Sequence, residues 1–175
     1  MHVRTRFPAV FLSAFVFLLV FSVPSCVTSR PVEGTVTRVT DGDTLILVTG
    51  EGTKLKVRLY GIDAPEIRHK EVPGQPYGRE AKDALTELSL GRKVTLEILD
   101  IDTHRRMVGI VRVSGVDINR EMIRSGFAWA YRRYLSPPYA SLYIAAQKEA
   151  RGRRLGLWIQ ANPDPPWKFK QWNRH

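Results

Sequence analysis

Cysteine is almost missing from this chain of 175 residues, which contains only Cys26. A single cysteine excludes an internal disulfide and any zinc site built from cysteine pairs. The four histidines, at positions 2, 69, 104 and 175, show no zinc-ligand spacing. A Gly-x-Ser-x-Gly elbow and a phosphate-binding glycine loop are also missing. These absences argue against disulfide scaffolds, zinc enzymes, elbow-type serine hydrolases and P-loop nucleotidases.

Acidic residues are missing from residues 1–26, which hold two arginines followed by an almost uninterrupted apolar run over residues 9–23. This pattern is typical of a secretory signal, whereas a membrane-spanning helix needs about 20 apolar residues. Residues 23–26 (Val-Pro-Ser-Cys) resemble a bacterial lipoprotein cleavage box, to which Pro24 is a poor fit. We therefore expect an exported protein, either released to the periplasm or medium or attached to the membrane through a lipidated Cys26.

Positive charge is abundant and unevenly distributed. The net charge is +10 and the isoelectric point is near 10.1. Residues 27–111 carry thirteen basic residues (Lys and Arg) and thirteen acidic residues (Asp and Glu). Residues 112–175 carry twelve basic residues and only four acidic ones. Such a surplus favours a polyanionic partner, either nucleic acid or an anionic membrane surface, although a basic face on an ordinary soluble protein is the alternative.

The pattern along the chain predicts one domain after a short linker at residues 27–31. Alternating apolar and polar residues predict strands, and apolar residues at helical spacing predict helices. A small Greek-key barrel with flanking helices, of the oligonucleotide-binding (OB) type, accommodates the order of these elements. The predicted strands are 32–40, 44–48, 54–60, 93–99 and 107–113, and the predicted helices are 81–88, 118–125 and about 137–151, the last capped by Ser136 with Pro137 in its first turn.

The last fifteen residues, 161–175, form a tail rich in proline, aromatic and basic residues. Its prolines predict irregular structure, because proline fixes the backbone and removes a hydrogen-bond donor. We expect the aromatic side chains of the tail to pack on the barrel, with stacking on nucleic-acid bases as the alternative.

Two predicted turns carry pairs of carboxylates. Residues 41–44 (Asp-Gly-Asp-Thr) connect the first two strands, and residues 63–66 (Asp-Ala-Pro-Glu) follow the third. Each pair also has a simpler explanation, because Asp-Gly is a good turn sequence and Asp63 with Glu66 could cap a helix. Likewise, Arg58 shares a strand face with two lysines and could be a solvated cation.

Taken together, however, these residues predict a site that binds a metal ion and a phosphate. Asp43 and Asp63 end neighbouring segments of one meander, so that they can converge on a hard-oxygen site for Ca²⁺ or Mg²⁺. Glu66 lies next to that site and can orient or deprotonate a water. Arg58 and Arg106 can hold a phosphate, because guanidinium groups present paired donors to phosphate oxygens.

Several short motifs are spaced along residues 32–160. They are Asp-Gly-Asp-Thr at 41–44, Val-Arg-Leu-Tyr-Gly-Ile-Asp-Ala-Pro-Glu at 57–66, Tyr-Gly-Arg-Glu-Ala at 77–81, Asp-Thr-His-Arg-Arg at 102–106, Gly-Phe-Ala-Trp-Ala-Tyr at 126–131 and Gly-Leu-Trp at 156–158. In this order they resemble the thermonuclease (staphylococcal nuclease-like) family. Several motifs in the correct order are far more specific than any one of them.

The resemblance implies a five-stranded OB-fold barrel with about three helices (class α+β) and a metal-dependent endonuclease that cleaves DNA and RNA. The implied cofactor is Ca²⁺, with Mg²⁺ or another divalent ion as the alternative. Asp43 and Asp63 would be direct metal ligands, assisted by the carbonyl of Ala64. We expect a monomer.

For catalysis, the resemblance implies that Glu66 is the general base and that Arg58 and Arg106 bind the reacting phosphate. The products would end in a 3′-phosphate. Tyr131 matches a position near the bound nucleotide.

The chain departs from the family pattern beside its second arginine. The family often has Tyr-Gly directly before that arginine, whereas this chain has His104-Arg105. Loss of the glycine could change the path of the loop, and loss of the tyrosine could remove a contact to the neighbouring phosphate. Arg105 could replace part of that binding. We assign the phosphate-binding role to Arg106, because the predicted strand continues directly after it.

The competing hypothesis is a non-catalytic nucleic-acid-binding OB-fold module at the cell envelope, since barrels of this type often bind nucleic acid without cutting it. A third hypothesis is an envelope protein whose charge attaches it to anionic lipid. All five proposed metal and catalytic side chains are present, which a pure binding protein does not need, and this favours the enzyme.

Overall fold

The computed structural model describes residues 31–68 and 73–172. The expected signal segment at 1–26, Cys26 with its lipidation, and all but the last residue of the linker lie outside the described residues and stay predictions. Among the residues described, no helix has the length and apolar character needed to cross a membrane.

A closed five-stranded barrel forms the centre of the fold. β1 (Val32–Asp41), β2 (Thr44–Thr49) and β3 (Lys54–Leu59) form an antiparallel meander, and β5 (Lys93–Ile101) and β6 (Met107–Val113) form an antiparallel pair. β1 pairs with β5, and β3 pairs with β6 in parallel, so that the sheet closes on itself and has no open edge along these strands. The predicted barrel is confirmed.

The core lies inside the barrel, and β3 shows the alternation of apolar and polar residues that puts one face of a strand there. In β3, Val57 and Leu59 are buried while Lys54 and Lys56 point to solvent. Burial of each such side chain contributes roughly 1.5–3 kcal/mol. The other strands supply fully or almost fully buried residues to the same cluster, namely Val36, Val39, Leu45, Leu47, Val94, Leu96, Ile110, Val111 and Val113.

Three helices cover the barrel, as predicted, and short elements connect them. The helices are α1 (Gly78–Ser89), α2 (Ile118–Arg124) and α3 (Tyr139–Gly152); the short strands are β4 (Ile62–Asp63), β7 (Val116–Asp117) and β8 (Trp129–Ala130); and 3₁₀ turns occupy Arg132–Tyr134 and Gly156–Ile159. α1 packs on β1 and buries Ala81 and Leu85, and α2 and α3 pack on each other.

The predicted start of α3 is wrong. The helix begins at Tyr139 instead of Pro137, and its N-cap residue is Pro138, whose side chain offers no acceptor. Ser136 does not cap the helix, because its hydroxyl lies 3.0 Å from the hydroxyl of Tyr60.

The prediction that the tail is irregular is also wrong, since residues Pro166–Trp172 form a fourth helix, α4. Pro166 lies in its first turn, where a missing N–H costs no helical hydrogen bond. Trp167, Phe169 and Lys170 are half-buried on the inner face of α4, whereas Lys168 is exposed.

A buried asparagine ties α2 to the barrel. Asn119 has no exposed surface. Its amide nitrogen donates to the carbonyls of Tyr60 (3.1 Å) and Gly109 (3.0 Å), and its amide oxygen accepts from the N–H of Val111 (3.1 Å). One side chain therefore satisfies backbone groups of β6 and of the segment after β3.

We predict that Asn119→Ala lowers the free energy of unfolding by at least about 2 kcal/mol, because each buried polar group left unpaired costs about 1–3 kcal/mol. Urea denaturation followed by circular dichroism measures the loss. Asn162→Ala, at an exposed position, serves as the control and should stay within about 0.5 kcal/mol. Equal stability of the two variants would contradict this role of Asn119.

Candidate active site

Two acidic turns meet at one end of the barrel. Asp43 lies between β1 and β2, and Asp63 ends β4; both are almost fully buried, with 2% and 1% of their surface exposed. The N–H of Ala64 donates to Asp43 Oδ2 at 3.0 Å, and the N–H of Leu59 donates to the carbonyl oxygen of Asp43 at 2.8 Å. These bonds bring the two turns together, as the sequence predicted.

Close packing explains the glycine between the two aspartates of the first turn. A Cβ atom at Gly42 would lie 2.7 Å from Cβ of Ala64 and 2.8 Å from Cβ of Ala81. These distances are too short for carbon atoms, so a side chain at this position would push the second turn and α1 away. Glycine is required here by the approach of neighbouring elements.

Arg58 joins the two carboxylates. Its Nη1 donates to Asp43 Oδ1, and its Nη2 donates to Asp63 Oδ1 at 2.6 Å. The pairing of Arg58 with Thr44 in the β2–β3 register places the guanidinium at this turn. The sequence predicted an arginine facing a phosphate, but in this structure the guanidinium is committed to the carboxylates.

The charges of this group stabilise one another. Burial alone would raise the pKa of Asp43, but the positive charges of Arg58 and Lys170 hold the pKa of this carboxyl below its usual value. Burial would lower the pKa of Arg58, but Asp43 and Asp63 raise the pKa of the guanidinium above its ordinary value. Asp43 and Arg58 are therefore both charged at neutral pH.

Glu66 is held at the edge of the site by Gln75. The side-chain oxygen of Gln75 accepts from the N–H of Glu66 at 3.0 Å, and the N–H of Gln75 donates to the carbonyl oxygen of Glu66 at 2.8 Å. The Glu66 side chain is 35% exposed. Its backbone is therefore fixed while its carboxylate is open to solvent, as a proton acceptor requires.

Lys170 of α4 is a site residue that sequence reasoning missed. Its Nζ lies 2.9 Å from Asp63 Oδ1 and 2.7 Å from Glu66 Oε1. Lys170 is separated from Asp63 by 107 positions. We see no sequence signal that could have placed it there, since one lysine in a basic tail resembles its neighbours.

Arg106 directly precedes β6 and is oriented by Asp102. Its Nε donates to Asp102 Oδ2 at 2.7 Å, while Asp102 Oδ1 accepts from the N–H groups of His104 and Arg106, both at 2.9 Å. Arg105 is exposed and has a φ of 58°, in the left-handed region that glycine adopts most easily. The turn keeps this conformation without the glycine because Asp102 holds it.

A cleft of about 540 Å³ contains both arginines. Arg58 and Arg106 line it together with Tyr131, Tyr134 and the segment 100–104. Arg105 is not among its lining residues. The ring of Tyr131 stacks on that of Trp167 in α4, with centroids 4.9 Å apart and planes 2° from parallel. The predicted phosphate-binding and nucleotide-contacting residues thus share one cleft.

The donor atoms at this site suit a hard divalent cation. Asp43 and Asp63 are buried, ionisable oxygen donors that contact the same guanidinium, and Ca²⁺ and Mg²⁺ prefer carboxylate and carbonyl oxygens. Glu66 does not close with them into a three-carboxylate cluster, and no group of three or more acidic, histidine or cysteine side chains suited to a metal occurs within 31–68 and 73–172. Lys170 instead lies between Asp63 and Glu66.

We predict that Arg58→Ala lowers the free energy of unfolding by about 3–5 kcal/mol, because it removes the shared partner of two buried carboxylates. Urea denaturation at neutral pH measures this loss. Arg38→Ala, at an exposed position of β1, is the matched control and should change stability by less than about 0.5 kcal/mol. A loss of similar size in both variants would show that Arg58 is not the partner of these carboxylates.

Comparison with known proteins gives one consistent result. The family model "Staphylococcal nuclease homologue" matches residues 56–160. The chain is 36% identical over 163 residues to a micrococcal nuclease of Shigella flexneri, covering 88% of this chain and 87% of that protein. It is 38% identical over 154 residues to a protein of Escherichia coli O157:H7 named as an uncharacterized endonuclease. The match covers 87% of this chain and 93% of that protein. A protein of Haemophilus influenzae with the same name is 35% identical, with coverage of 90% and 82%.

Proposed function

The chain belongs to the family of staphylococcal nuclease homologues, and we propose that it is a divalent-cation-dependent endonuclease acting on DNA and RNA. It is a hydrolase of phosphodiester bonds, as the names of its relatives indicate. The observation that carries the proposal is the convergence of Asp43 and Asp63 on the guanidinium of Arg58, at a cleft that also contains Arg106. A barrel that only binds nucleic acid does not require two buried carboxylates at its binding cleft.

Asp43 and Asp63 would hold the divalent cation, with the backbone carbonyl of Ala64 assisting. We propose Ca²⁺, because its flexible coordination accepts carboxylate and carbonyl oxygens together. When bound, the cation supplies a Lewis acid that neutralises charge on the phosphate. Its charge would also relieve Arg58 of part of its role as a counter-ion, leaving guanidinium donors available for a phosphate oxygen.

Within the chain, the reaction requires a base and a stabiliser of negative charge. In the proposed mechanism, Glu66 accepts a proton from a water as the oxygen of that water forms a bond to phosphorus. Arg58 and Arg106 donate hydrogen bonds to the non-bridging oxygens, on which charge accumulates in the transition state. The bond to the 5′-oxygen then breaks, and that oxygen takes up a proton. The products are a 5′-hydroxyl and a 3′-phosphate.

The remaining polar and aromatic residues of the cleft would position the substrate. Tyr131 lines the cleft beside Arg58 and can contact a nucleotide next to the scissile phosphate. Arg105 is exposed beside Arg106 and can contact a neighbouring phosphate. The surplus of positive charge in residues 112–175 supports binding of the nucleic-acid backbone.

The proposal is tested by incubating the purified protein with plasmid DNA or with RNA in the presence of Ca²⁺, Mg²⁺ or a chelator. We expect degradation with Ca²⁺ and none with the chelator, because the buried carboxylates need the cation to approach a phosphate. Analysis of the product ends should show a 3′-phosphate. Retarded but intact DNA under all conditions would instead identify a binding module, and degradation in chelator would contradict metal dependence.

We predict that Glu66→Gln reduces the rate of cleavage by about 10²- to 10⁴-fold, the usual contribution of a general base. The amide keeps the shape of the side chain but cannot accept the proton. Glu80→Gln, at an exposed position in the first turn of α1, is the control and should cleave at the unsubstituted rate. Single-turnover cleavage of a labelled oligonucleotide measures both variants, and full activity of Glu66→Gln would show that another group is the base.

A further inference from the structure

α4 carries two side chains into the site, and the position of each has a counterpart in the proposed reaction. We propose that α4 is an autoinhibitory element, in which Lys170 takes the place of the divalent cation and is displaced when the cation binds. This inference rests on the proposed function, because it assumes that Asp43 and Asp63 hold a divalent cation.

The first contact is that of Lys170. Its ammonium group bridges Asp63 and Glu66, at 2.9 and 2.7 Å. These are a proposed metal ligand and the proposed base, so a single cation from the tail pairs with both. While Lys170 stays in place, Glu66 is bound in an ion pair and is a poorer acceptor for a proton from water.

The charges explain why Lys170 and a divalent cation would compete. Asp43, Asp63 and Glu66 carry three negative charges, and Arg58 compensates one of them. The remaining two negative charges match one divalent cation. Lys170 already compensates one of these two, so a divalent cation bound beside it would meet a site that is partly neutralised and would be repelled by the ammonium group.

The second contact is made with Tyr131, which lines the cleft. Trp167, one helical turn before Lys170, stacks flat on the ring of Tyr131. A planar ring stacked in this way resembles a nucleic-acid base on an aromatic side chain. α4 therefore occupies one face of the expected nucleotide contact with Trp167 and pairs with carboxylates of the expected cation site through Lys170.

The attachment of α4 is suited to release. The helix has seven residues, of which only Pro166 is fully buried. An isolated helix of this length is not stable in water, so α4 depends on its packing. Phe169 of α4 lines a pocket of about 110 Å³ together with Trp129 and Leu157. Displacement of Lys170 by a cation therefore removes one of the main contacts that keep α4 folded in place.

The test is calcium binding by the full chain without nucleic acid, measured by isothermal titration calorimetry. We expect Lys170→Met to bind Ca²⁺ about tenfold more tightly than the unsubstituted protein, because the competing ammonium group is gone while the apolar stem is kept. Lys168→Met is the matched control, since it removes the same charge from the exposed face of the same helix. It should bind Ca²⁺ like the unsubstituted protein.

Hydrogen exchange of the amides of α4 provides a second measurement. Saturating Ca²⁺ should make these amides exchange faster in the unsubstituted protein, as α4 leaves the site. Calcium binding with unchanged or slower exchange would overturn the displacement.

The two proposals fail in different ways. If all three proteins bind Ca²⁺ with the same affinity, α4 does not compete with the cation, whereas the cation site itself stands. If none of them binds Ca²⁺ or another divalent ion, the cation site of the proposed function is wrong, and autoinhibition by Lys170 is overturned with it.

Discussion

The guanidinium of Arg58, placed between Asp43 and Asp63, connects the fold to the site. Two carboxylates with 2% and 1% of their surface exposed cannot be left without positive charge, because the desolvation of an unpaired ion costs several kcal/mol. Arg58 provides that charge from β3, and its two nitrogens reach two separate turns. The same ion pairs hold the turns together and keep the carboxylates of Asp43 and Asp63, the proposed cation ligands, close to each other.

Closure of the barrel determines what else surrounds this group. The parallel pairing of β3 with β6 sets Arg58 beside Val108. Arg106, just before β6, therefore lies at the same end of the barrel and lines the same cleft. Asp102 holds the turn before β6 through three hydrogen bonds, so that the preceding Arg105 can adopt a left-handed conformation in place of glycine. The second arginine is thus positioned by one carboxylate of its own turn, and the first by two carboxylates from separate turns.

In the proposed autoinhibition, the tail regulates access of a divalent cation to these carboxylates. An anionic site attracts cations, and in this structure Lys170 of the same chain joins Arg58 at the carboxylates. A lysine fits this task because its single positive charge only partly compensates the carboxylates. If a divalent cation exchanges with it, the site passes from a stable, closed form to one open to substrate without any change in the barrel.

The sequence by itself determined the barrel, its order of strands, and the family to which the chain belongs. Alternation along β3 and β5, the Asp-Gly turn sequence at 41–42, and ordered motifs are local properties, which a sequence displays directly. Tertiary structure alone decided that Arg58 pairs with both aspartates, that Ser136 turns to Tyr60, and that Lys170 enters the site. Two of these contacts join residues far apart in the chain, with 76 positions between Tyr60 and Ser136 and 107 between Asp63 and Lys170. No local periodicity records such a contact, because it arises only when the closed barrel brings the partners together.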